Sequence, residues 1–106
     1  MNIPETIYCG ATKYRTIKRD HLWRVYAECD GQVRFDDLEI DMVMDRPKSD
    51  LANTFLHELL HVAYREWHIS AKRGEEYTVT ALGYAMTSIF AQNPNVLPYL
   101  EELLHG

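Results

Sequence analysis

Leu51-Ala52-Asn53-Thr54-Phe55-Leu56-His57-Glu58-Leu59-Leu60-His61-Val62-Ala63-Tyr64-Arg65-Glu66-Trp67 reads as an amphipathic helix. At about 100° per residue, Leu51, Ala52, Phe55, Leu56, Leu59, Leu60, Val62, Ala63 and Trp67 fill one half of the helical wheel. Asn53, Thr54, His57, Glu58, His61, Tyr64, Arg65 and His68 occupy the other half, and only Glu66 falls on the wrong side.

Working outward, Pro47, Ser49 and Asp50 are expected to punctuate the chain and cap this helix. Upstream, Val33 to Phe35 and Leu38 to Met44 predict a hairpin around Asp36-Asp37, with Leu38, Ile40, Met42 and Met44 alternating with polar residues. Asp20 ahead of Leu22, Val25, Tyr26 and Cys29 predicts a short capped helix that stops at Gly31. Ile7 to Ile17, broken at Gly10, predicts one or two short strands. Downstream, a second helix from about Glu75 to Ala91 is expected to bury Val79, Leu82, Met86, Ile89 and Phe90. Asn93-Pro94-Asn95 breaks it, and a short helix from about Val96 to Leu104 follows. Strands first and helices afterwards predict an α+β fold, a small antiparallel sheet followed by helices, in a single domain spanning residues 1–106.

A length of 106 residues allows a modest hydrophobic core. The formal net charge of -5 argues against nucleic acid as the main partner, because phosphate binding needs a basic surface. The charge is uneven: Lys13, Arg15, Lys18, Arg19 and Arg24 crowd one stretch, and Asp30, Asp36, Asp37, Glu39, Asp41 and Asp45 the next. Two separate solvated faces are the expected consequence. Cys9 and Cys29 form no Cys-x-x-Cys pair and read as reduced core thiols. No basic start followed by an apolar run opens the chain, and no stretch approaches bilayer length. The expectation is a cytoplasmic protein with no membrane partner.

The chemistry concentrates in His57-Glu58-Leu59-Leu60-His61. Histidines at i and i+4 lie one turn apart on one helix face, so both imidazoles can reach a single tetrahedral metal ion. The glutamate beside the first histidine can take a proton from a metal-activated water. A catalytic zinc site wants a third protein ligand. His68 lies on the same helix and is poorly placed. Apolar periodicity turns Glu75 toward the buried stripe, whereas Glu76 shares its side with the small residues Thr80, Gly83 and Thr87, which would let another helix approach. Residues 69–74 can span roughly 20 Å, enough to bring the second helix back beside the histidines.

His57-Glu58-x-x-His61 followed by Glu76-x-x-Val79-Thr80-x-Leu82-Gly83 resembles the gluzincin pattern. The chain is similar to the small zincin-like proteins of phages and prophages, related to the ImmA/IrrE-type metallopeptidases, over roughly residues 31–95, including Gly31-Gln32-Val33 and Asn93-Pro94. The resemblance implies a minimal zincin-like fold, with zinc held by His57, His61 and Glu76 and with Glu58 as general base. It implies an endopeptidase acting on an intracellular protein, in the host cytoplasm if the chain is phage-encoded. Thr80 falls where larger relatives orient a histidine with an acidic or amide residue. The strand near Leu38 to Met44 is implied as a partner for an extended peptide. Hydrolysis would also want a donor to the tetrahedral intermediate, for which Tyr64, His68 and Tyr84 are the candidates. The competing reading is a zincin-fold binding module of phage origin that docks a host or phage regulatory protein without cleaving it.

Overall fold

The computed structural model describes residues 1–106. Its elements are β1 (Thr6–Cys9), β2 (Thr12–Arg19), α1 (His21–Ala27), β3 (Gly31–Arg34), β4 (Glu39–Val43), α2 (Lys48–Glu66), α3 (Glu75–Gln92) and α4 (Val96–His105), with a 3-10 turn at Ala71–Arg73. The α+β class follows the expectation; the sheet does not. Its order is β1-β2-β4-β3, with β1/β2 and β3/β4 antiparallel but β2/β4 parallel. The reason lies in β4, where Ile40, Asp41, Met42 and Val43 are all buried. Such a strand belongs inside the sheet, so the half-exposed β3 takes the edge and β4 pairs with β2 in the same direction.

Helices α2, α3 and α4 cover one face. Ile7, Tyr14, Ile40 and Met42 of the sheet meet Phe55, Leu59 and Val62 of α2, Ala85 and Ile89 of α3, and Val96 and Tyr99 of α4. Phe55 meets Tyr99 edge to face at 5.3 Å between ring centres. Each fully buried Leu, Ile, Val or Phe among these contributes roughly 1.5–3 kcal/mol. Glu66, the residue misplaced on the wheel, accepts hydrogen bonds from the Tyr14 hydroxyl at 2.6 Å and Thr12 Oγ1 at 3.3 Å. It ties α2 to β2, and burial together with Glu66 raises the Tyr14 pKa. Of the two free thiols, Cys9 is in the core and Cys29 is half-buried.

The opposite sheet face corrects the expectation of separate basic and acidic surfaces. The side chain of Asp41 has no solvent exposure, and it accepts from Arg19 Nε at 2.9 Å, Arg34 Nε at 2.7 Å and Gln32 Nε2 at 3.2 Å. Arg34 also pairs with Asp37 and Glu39, and Arg15 with Glu39. Arg15 and Arg19 of β2 are therefore neutralised by Glu39 and Asp41 of β4 across the parallel pairing, while Lys13 and Lys18 stay exposed. Burial alone would raise the Asp41 pKa; the hydrogen bonds from Arg34, Arg19 and Gln32 outweigh it and hold the carboxyl below its usual range.

Three further expectations change. Helix α1 forms with Asp20 capping Trp23 N–H at 3.0 Å, but it ends at a left-handed Glu28 (φ 57°) before reaching Gly31. It buries none of its residues: Leu22, Val25 and Tyr26 are 78%, 64% and 89% exposed. Helix α2 starts a turn earlier than expected, at Lys48, with no side-chain cap from Ser49 or Asp50. In α3, Val79 is exposed, and the buried line runs through Ala85 and Ile89, flanked by Leu82, Met86 and Phe90.

The two sheet edges differ. Along β1, Asn93 accepts from Tyr8 N–H and donates to Tyr8 C=O, both at 2.7 Å, and Gln92 does the same for Gly10 at 2.9 and 2.7 Å. Two amide side chains thus replace a neighbouring strand and seal that edge. Along β3 no such cover exists. Val43 N–H donates to Asp30 C=O, which by antiparallel alternation turns the backbone groups of Gly31 and Val33 away from β4. No helix is long and apolar enough to cross a membrane.

Candidate metal and catalytic site

His57 and His61 project from successive turns of α2 into solvent, and their Nε2 atoms stand 3.1 Å apart. Two nitrogens bound to one tetrahedral zinc, each at about 2.0–2.1 Å, stand roughly 3.3–3.4 Å apart. The pair is thus already close to the spacing of a shared ion, a spacing that also suits one neutral imidazole donating to the other.

Glu58 departs from the wheel, which put it on the polar half: it is only 4% exposed. Thr54, one turn earlier, is buried with it. The buried face of α2 is turned toward these two residues because β3 lies against them, while Leu56 and Trp67, expected inside, are partly exposed. Gly31 makes that approach possible. A Cβ there would stand 2.9 Å from both the Asp41 carbonyl oxygen and Thr54 Cγ2, and 3.4 Å from Glu58 Oε2. Burial raises the Glu58 pKa above the ordinary carboxylate value, against the opposing pull of His57 and His61. The carboxylate accepts no hydrogen bond from the protein. It lines a groove of about 280 Å³ with Cys29, Asp30, Gly31, Asn53, Thr54 and His57.

Two residues without any sequence signal brace this groove. Arg46 donates to Thr54 Oγ1 at 2.7 Å and pairs with Asp30 at 3.4 Å; Asp30 in turn pairs with Arg24 at 2.6 Å. Asp30 thereby links α1 to the start of α2 at the point where β3 begins. A separate hollow of about 510 Å³, lined by residues 1–6, 8 and 92–95, holds no histidine or cysteine.

The third ligand is not brought to the pair. Glu75 and Glu76 both sit exposed in the first turn of α3, and no further His, Cys, Asp or Glu joins the histidines in a metal-binding group. Thr80, Gly83 and Thr87 face open space, and nothing lies within 4 Å of a Cβ at Gly83. The close helix approach expected on that side is therefore absent; α3 packs through Ala85 and Ile89 instead. Thr80 is exposed rather than beside a histidine, His68 leaves the helix in a left-handed conformation (φ 51°), Tyr64 is half-buried, and Tyr84 is exposed. Nor is β4 the strand open to a peptide, since β2 and β3 occupy both its edges. The open strand is β3, beside Glu58. The chain matches no protein-family model, no curated protein and no solved structure.

Proposed function

We propose that the chain is a zinc-dependent endopeptidase with a zincin-like arrangement, acting on an extended segment of a protein substrate. The observation that carries this reading is the buried Glu58 carboxyl next to two histidine nitrogens 3.1 Å apart. Two donors stand ready for zinc, the nitrogens of His57 and His61; Glu76, exposed, free of ion pairs and apart from them, is the proposed third ligand. Zinc bound there would polarise a peptide carbonyl and favour hydroxide over water at neutral pH. Glu58 takes a proton from water in the groove and passes it to the departing amine. The backbone groups of Val33 and the Gly31 carbonyl hold the substrate as an added strand, while the Gly31 N–H faces the Cys29 thiol.

A second reading, a docking module that binds a regulatory protein without cutting it, draws support from the separation of Glu76 from the histidines. Glu58→Gln distinguishes the two. It keeps size and removes basicity, so the peptidase should retain zinc and target binding while cleavage falls by about 10²–10⁴-fold. Mass spectrometry of the target in the native host reads the outcome. Undiminished biological effect from zinc-loaded Glu58→Gln, with no cleaved product from the unaltered protein, would end the enzyme reading.

A further inference from the structure

The groove that holds Glu58 is continued by one side of α1. A second groove, about 360 Å³, is lined by His21, Arg24, Val25, Glu28, Cys29 and Asp30, and it shares Cys29 and Asp30 with the first. Leu22 and Tyr26 are exposed as well but lie outside this lining. A chain added antiparallel to β3, the commoner pairing, runs opposite to Gly31→Arg34. Its C-terminal half therefore passes Gly31 and Asp30 and arrives at α1. Of the charges there, Arg24 shares Asp30 with Arg46, whereas Glu28 makes no ion pair.

We infer that the α1 side of this groove is the specificity surface for the leaving half of the substrate, taking an apolar side chain against Val25 and a Lys or Arg at Glu28. This rests on the peptidase reading with β3 as the substrate-pairing edge. Only Trp23, beneath the Arg19 guanidinium, and Ala27 are half-buried in α1, so the rest of the helix is open to solvent.

The test incubates the zinc-loaded protein with a tryptic and a Glu-C peptide library of known sequences and reads the products by mass spectrometry. Cleavage sites should be enriched in apolar and basic residues shortly after the cut bond. Val25→Asp, at a position already exposed, should keep its melting temperature and still cut, with the apolar preference lost; Glu28→Lys should lose the basic one. Cleavage without downstream preference, or an unchanged preference in both variants, overturns the inference and leaves the peptidase reading intact. No cleavage by the unaltered protein sinks the peptidase reading, and retention of the same libraries on immobilised protein then decides. Selective retention of apolar–basic peptides, lost in Val25→Asp, keeps α1 as a recognition surface; unselective or absent retention removes it.

Discussion

Replacing Gly31 by alanine adds one methyl group where the structure has no space for it. The new carbon would meet the Asp41 carbonyl oxygen and the Thr54 methyl at 2.9 Å each. The oxygen belongs to the backbone of the central strand β4 and cannot yield like a side-chain tip, so β3 must shift away from its partner. Overpacking of this kind costs about 1–3 kcal/mol, offset by about 0.4–1 kcal/mol from the stiffer unfolded chain. A net loss of about 1–2 kcal/mol, at roughly 4–8 °C per kcal/mol for a domain near this size, lowers the melting temperature by roughly 5–15 °C. Gly83→Ala supplies the control. Nothing lies within 4 Å of its Cβ in the middle of α3, so the same substitution should stabilise by about 0.8–1 kcal/mol through helix propensity. Calorimetry on metal-free protein compares the two directly. A Gly31→Ala variant melting at or above the unaltered temperature would refute the claim that β3 is pressed against Glu58 and Thr54.

Other expectations follow from the same geometry. Asp41→Asn should cost about 3 kcal/mol at neutral pH, toward the lower end for a broken buried pair because Arg19 and Arg34 keep some access to water. Since the folded-state pKa of Asp41 is depressed, its contribution is full above the unfolded value near 4 and fades as pH falls through the folded one. Melting curves of the two proteins should therefore converge in acid, and a constant gap across pH would contradict this. Asn93→Ala removes three hydrogen bonds to Tyr8 and Ile89 and should cost about 2 kcal/mol; light scattering should also detect new self-association through the unsealed β1 edge. One zinc ion per chain is expected, with binding that weakens in acid because protons compete with the metal for the histidine nitrogens. In competition titrations Glu76→Ala should weaken zinc binding far more than Glu75→Ala, and the reverse order would assign the ligand to Glu75.

What the sequence disclosed depended on whether the signal was local. His57, Glu58 and His61 share one helix, and their spacing fixes their mutual geometry wherever that helix packs. Asp20, Gly10 and Asn93-Pro94-Asn95 marked boundaries for the same reason. The parallel β2/β4 pairing was not legible, because it depends on β4 being buried on both faces, and Asp41 in the middle of that strand read as a polar, solvent-facing residue. Arg19 and Arg34, which make its burial possible, lie 22 and 7 residues away. The wheel failed at Glu58 and Glu66 because a helix period describes one face against one layer, whereas α2 also touches β3 at its flank and reaches the Tyr14 and Thr12 hydroxyls near its end. Small residues on α3 suggested a close neighbour, but Thr80, Gly83 and Thr87 sit in open space. Periodicity identifies which residues share a side, not what that side meets.

The amide clasp on β1 also bears on how the molecule is made. Its donors and acceptors are separated by 82 to 85 positions, so strands synthesised first are closed by residues synthesised much later. Until Gln92 and Asn93 have been added and α3 has docked, the nascent β1–β2 hairpin carries an open edge, the state in which growing chains are most prone to pair with one another. Slow elongation across α3 would lengthen that exposure, and a chaperone that shields the first strand would shorten it.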